Sequence, residues 1–241
     1  MGLAGRVLTF ERYPMRFVRP ALPFILFLAT CGAADQLQQT LAKMEEAAAS
    51  FKGLTADIKR VNYTFVIQEE DQSSGTIVVR RPKPREWQMY MDIKAPDPQQ
   101  ISYAGHTAQQ YNPKTNIESI YDVNKKYGSV VNEYILLGFG ASPKELEQVY
   151  AIALGGVETI GGQKTTRIEL TPKKPDTTLH LVKADLWISD QTGIALQQKL
   201  NFAGGNYDLA TYSNVRINPN IPESAVQLNV PDNVKKEYPL K

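Results

Sequence analysis

The sequence predicts a mainly β domain, with about eleven antiparallel strands in one meandering sheet and about three helices. Three observations carry that expectation. Beyond Gly53 the apolar residues recur at alternate positions, as in Val61, Tyr63, Phe65 and Ile67, the period of a strand with one wet face. Turn-forming clusters interrupt the chain at short intervals, among them Pro96-Asp97-Pro98, Asn112-Pro113 and Gly204-Gly205. No repeat, low-complexity tract or linker divides residues 35–241, which therefore read as a single domain.

The first element of that domain is a helix at 35–52, where Leu37, Leu41, Met44, Ala48 and Phe51 form one apolar stripe. Gly53 is expected to stop it. The strand through Val61, Tyr63 and Phe65 follows, with Ala56 and Ile58 in the opposite phase, so a bulge is expected at Lys59-Arg60. Glu69-Glu70-Asp71 leads into Ser73-Ser74-Gly75, which reads as the hairpin turn; carboxylates in a turn are ordinarily solvated. Ile77, Val79 and Arg81 share one strand face, as do Trp87, Met89 and Met91. Further strands are expected at about 99–103, 107–111 and 116–121.

Val130, Val131, Tyr134, Ile135 and Leu137 suggest a helix over 124–137. Ser142-Pro143-Lys144-Glu145 is a capping box that starts another at 143–150. After Gly155-Gly156, strands are expected near 165–171, 179–188, 193–203, 206–217 and 225–230. A sheet of this length curls, and its apolar inner face must be covered. Either the barrel closes on itself, or a concave cavity remains for an apolar guest.

Residues 1–34 read as an export signal: Arg16 and Arg19, then the apolar run Ala21–Ala29, then the small residues around Cys31-Gly32-Ala33-Ala34. Met15 directly precedes the basic region and offers an alternative start. The apolar run falls short of the roughly 20 residues of a spanning helix. Cys31, the single cysteine, excludes a disulfide within the chain. Leu28-Ala29-Thr30-Cys31 also resembles a lipobox, in which the cysteine would be acylated, although Thr30 fits that motif poorly. Without this segment the chain is close to neutral, which gives no reason to expect nucleic acid as a partner.

The motifs of common chemistry are missing. His106 and His180 have no carboxylate at ligand spacing, so no metal site is expected. Gly138-Phe139-Gly140 has Pro143 where a dinucleotide loop needs its third glycine, and there is no Gly-x-Ser-x-Gly elbow. No cofactor and no enzymatic activity are expected.

One stretch resembles a known family. Gly75 to Met89 (GTIVVRRPKPREWQM) is similar to the strand–Arg-Pro–turn–Trp signature of the periplasmic outer-membrane lipoprotein carriers and their receptor relatives, the LolA/LolB type. Ala104-Gly105-His106, Gln110-Tyr111-Asn112-Pro113, Leu170-Thr171-Pro172-Lys173 and Val226–Val234 resemble later elements in the same order. The resemblance covers about residues 35–235. It implies an unclosed half-barrel under a helical lid, holding acyl chains of lipoproteins or related lipids and carrying them through the periplasm toward the outer membrane. The partners implied are an inner-membrane releasing complex and an outer-membrane receptor, and the carrier is expected to be a monomer. The lipid-binding residues would be Val61, Tyr63, Phe65, Ile77, Val79, Trp87, Met89 and Met91. Arg81 matches the family's arginine that tethers the lid. Arg85 departs from the pattern, standing where the family usually has an aromatic. A membrane-anchored receptor and an envelope lipid sensor on the same half-barrel are the alternatives, and Cys31 separates anchored from soluble forms.

Overall fold

In the computed structural model, residues 29–84, 86–123, 137, 139–175 and 180–239 are described, side chains from residue 33 onward. Helix α1 (Ala29–Ser50) leads into β1 (Gly53–Thr64), β2 (Glu69–Lys83), β3 (Glu86–Ala95), β4 (Gln99–Ala104), β5 (Thr107–Asn112) and β6 (Ile117–Asp122). Helix α2 (Pro143–Val149) precedes β7 (Tyr150–Ile160), β8 (Gln163–Pro172), β9 (Leu181–Ser189), β10 (Ala195–Phe202), β11 (Tyr207–Ile217) and the short β12 (Lys235–Glu237). The expected helix at 124–137 lies outside the described residues except for Leu137.

All twelve strands form one sheet, in the order β12-β6-β5-β4-β3-β2-β1-β11-β10-β9-β8-β7. It is two meanders joined where β1 pairs with β11, and its ends do not meet. Eleven strands are antiparallel; β12 alone runs parallel to its neighbour, β6. The expected mainly β, unclosed sheet is therefore found.

The helical stripe packs as its spacing demands. Leu41 and Met44 are buried against β7–β10, while Ala47 and Phe51 pack against β1–β3. Helix α1 thus lies across both meanders on the concave side. Gln36 ties it to Thr166 (2.9 Å) and Lys43 reaches the carbonyl of Asp190. The capping box at α2 forms as expected: Ser142 Oγ accepts from the Glu145 N–H, and Glu145 accepts from the Ser142 N–H.

Several boundaries differ from expectation. Gly53 does not stop α1; it is the first residue of β1, and the helix ends where side chains from elsewhere take its free carbonyls. Asn218 Nδ2 donates to Ser50 O (2.9 Å), and Arg81 Nη2 donates to Ala48 O (3.0 Å). The first hairpin turns at residues 65–68, not at Ser73-Ser74-Gly75, which lie inside β2 paired with Arg60, Lys59 and Ile58. Glu69-Glu70-Asp71 is accordingly strand, and Glu70 accepts a hydrogen bond from Tyr207 Oη (2.6 Å). No bulge occurs at Lys59-Arg60; the register with β11 slips earlier, between Thr55 and Asp57. Strand β7 was not expected, because Gly155-Gly156 reads as a turn, whereas Gly156 (φ 122°) accommodates a register slip within the strand. The segment expected as a strand at 225–230 is not one: a 3-10 turn (Glu223–Val226) runs into it on the convex side, where Ser102 Oγ donates to Val226 O (2.7 Å), and residues 227–230 are irregular.

Candidate functional site

A cavity of about 330 Å³ lies against the concave face. Its placement follows from strand parity: Leu54, Ala56 and Ile58 of β1 are buried, and their partners across β2 include Val79, Ile77 and Gly75. Ile77 and Val79 pair in turn with Met91 and Met89, and these with Ile101 and Tyr103. Alternate residues of these strands therefore present one apolar wall. Leu200, Ala210 and Tyr212 line the cavity from the second meander, and Phe139 closes over it, its ring edge-on to Tyr212 at 4.7 Å. Burial pushes the Tyr212 phenol upward from its ordinary pKa, so it stays neutral. Three polar residues interrupt the lining: Arg60, Gln198 and Asp208, the last of which accepts from Asn62.

The residues singled out in the sequence separate into three groups. Ile77, Val79, Met89 and Met91 line the cavity. Trp87 shares their face but sits beyond the cavity's end, 4% exposed, 5.7 Å from the Phe51 ring and under Gly140. Val61, Tyr63 and Phe65 are the correction. The continuous pairing of β1 with β2 keeps Ile58 and Arg60 on the inner face, so Val61 and Tyr63 point outward, and Tyr63 stacks on Tyr207 at 4.9 Å. Phe65 lies in the hairpin turn and is 53% exposed.

Arg81 is on the inner side of β2, between Phe51 (6.0 Å) and Trp87 (5.5 Å), with its guanidinium on the last turn of α1. A cation at a helix C-terminus meets the negative end of the macrodipole, and aromatic faces on either side suit it further. Arg80 points the other way and donates to Gln88 Oε1 (2.7 Å). Arg85 lies outside the described residues, and of Cys31 the structure describes only that its backbone is helical.

Arg60, Gln198, Asp208 and Phe139 also line the cavity, although no sequence motif marks them. For Gln198 there was a signal: it stands alone between Leu196 and Leu200 in an otherwise apolar register. His106 lies in the β4–β5 turn and His180 just before β9, both exposed. Among the described residues no group of three His, Cys, Asp or Glu could hold a metal. No described helix is long and apolar enough to cross a membrane.

No family model and no curated protein matches the chain. Solved structures do. An uncharacterized conserved protein from Thermus thermophilus is 12% identical over 84% of this chain and 99% of its own, with a TM-score of 0.52. This chain has that protein's fold. MucB is 13% identical over 83% of this chain, with a TM-score of 0.49, and the chain spans 64% of MucB's length. A LolA superfamily protein from Nitrosomonas europaea is 13% identical over 79% of this chain and 97% of its own, with a TM-score of 0.39. At such identities a likeness speaks of the fold alone.

Proposed function

We propose that the protein is an exported carrier that holds the acyl chains of lipoproteins or related lipids in the cavity and delivers them toward the outer membrane. The observation that supports this reading is the apolar cavity between the sheet's concave face and the residues that cover it. Each methylene removed from water is worth about 0.8 kcal/mol, so acyl chains cross an aqueous compartment only when covered. The carrier shields them and makes or breaks no bond. Arg81 holds the C-terminal end of α1 to β2, and release would require that contact to open. The resemblance of Gly75–Met89 to the lipoprotein carriers and the fold class agree with this assignment.

Titration with a lipopeptide tests it. In a Trp187→Phe background, which leaves Trp87 as the reporter, added lipopeptide is expected to shift the emission and to displace a bound apolar dye. Trp187 is a suitable deletion because it faces the convex side, where its indole N–H donates to Glu158 (2.8 Å). If neither signal responds, the binding assignment fails.

The choice between a diffusing carrier and an anchored receptor rests on Cys31. The soluble form is expected, cut after Ala33 or Ala34 without added lipid, because Thr30 fits a lipobox poorly. Intact-mass measurement of the mature protein checks this. A chain beginning with an acylated Cys31 would instead be held firmly at a membrane, because several acyl chains anchor where one holds only marginally.

A further inference from the structure

Arg60 is the only cation among the described residues that line the cavity. It lies on the inner face of β1, two residues beyond Ile58 toward the hairpin turn, and is partly buried. Among the described residues, neither a hydrogen bond nor an ion pair joins its guanidinium to another side chain. Asp208, on the neighbouring β11, accepts instead from Asn62, its own partner across the two strands. The charge of Arg60 is felt inside the cavity, at Tyr212 opposite Ile58, where it opposes the upward shift that burial gives the phenol. A guanidinium against an apolar wall is costly without acceptors, and its fixed fork of N–H donors matches an oxyanion in two places at once. There is room for one beside it. Ala210 lies opposite both Arg60 and Gln198, so the row across β1, β11 and β10 has its smallest side chain at the centre. From Arg60 the wall continues through Ile58, Ile77, Val79, Met89 and Met91, all apolar. The cavity is therefore charged at one end and apolar along the rest, the outline of an amphiphile.

We propose, resting on the acyl-carrier reading, that Arg60 is the headgroup subsite of the cavity and that the guest is an acyl lipid with an oxyanion head, a carboxylate or a phosphate. The head accepts from the Arg60 fork, and the chain runs along the apolar wall toward Met89 and Tyr103. A lipid with a neutral head fills the same wall but leaves the guanidinium to water.

Displacement of a neutral apolar dye by dodecanoate, dodecyl phosphate, dodecanol and dodecyltrimethylammonium, which share one chain length, tests this in the wild-type protein, Arg60→Gln and Arg60→Lys. Each affinity is taken as a ratio to that of dodecanol, which cancels changes in the apolar part of the cavity. The ratio for at least one of the two anions is expected to be about tenfold higher in wild type than in Arg60→Gln, the size of effect one charge-assisted hydrogen bond gives. Arg60→Lys, which keeps the charge without the fork, is expected to fall between them. In wild type alone, added salt is expected to shrink the anion's advantage over dodecanol. A gain by dodecanoate assigns a carboxylate head, and a gain by dodecyl phosphate alone a phosphate. Equal ratios for both anions in wild type and Arg60→Gln would overturn the proposal, since Arg60 would then be an ordinary solvated residue at the cavity's end. Stronger displacement by dodecyltrimethylammonium than by either anion would overturn it as well, because Asp208 would then set the preference. Failure of every probe to displace the dye would instead remove the acyl-carrier reading itself.

Discussion

Gly75→Ala is expected to destabilise the protein by about 3 kcal/mol, in the upper part of the range for atoms forced into a filled interior. Between the partners of Ser74 and Gly75, strand β3 carries one extra residue, Lys94. The resulting kink brings the β3 backbone onto Gly75, where an added Cβ would collide with the carbonyl oxygen of Asp92 and lie 2.8 Å from Ile93 Cα. Both obstacles are backbone, so no side-chain rotation relieves them. Ser74→Ala is the control: Ser74 is exposed, and its substitution should stay within roughly 0.5 kcal/mol of wild type. Chemical denaturation of the three proteins measures the difference. A Gly75→Ala midpoint close to that of Ser74→Ala would show that β3 can withdraw freely.

Arg81→Leu is expected to loosen the last turn of α1 while Arg80→Leu does not. The substitution leaves Ala48 O without its donor and takes the cation from between Phe51 and Trp87. A hydrogen bond from a charged donor contributes about 1.5–3 kcal/mol, and the lower end applies because Arg81 is only half-buried. That corresponds to exchange roughly tenfold faster for amides near the end of α1. Dye should also leave the cavity faster. Hydrogen exchange measured on wild type, Arg80→Leu and Arg81→Leu decides the matter. Equal protection in all three would return Arg81 to an ordinary surface role.

Periodicity alone reached the fold class, the capping box of α2 and the stripe on α1, because each is written in residues close together in sequence. It failed where a partner strand sets the answer. Ser73-Ser74-Gly75 has turn composition, yet it is strand because Lys59 and Arg60 pair with it; the actual turn, at Phe65–Gln68, contains three apolar residues that give no local sign of turning. The same stretch misplaces the cavity wall, because Val61 and Tyr63, at the half-buried end of β1, lie in the opposite phase to the buried Leu54 and Ile58. The strands after the true turn kept their phase, so Ile77, Val79, Met89 and Met91 were placed on the correct face. The polar row was less legible: Gln198 stood out within its own strand, but its alignment with Ala210 and Arg60 depends on pairings between segments far apart in the chain.

The parallel pairing of β12 with β6 has a consequence for how the molecule is assembled. Asn116, at the start of β6, is held by the carbonyl of Asn233 (3.0 Å), a residue 117 positions later. Until that segment arrives, β6 has an unpaired edge, with Glu118 awaiting the ion pair it makes with Lys236 in the finished sheet. Contacts so remote in sequence form late and slowly, and an unpaired edge is where one chain can adhere to another. In the nascent sheet β6 is therefore open to adhesion until residues 233–237 cover the start of its edge.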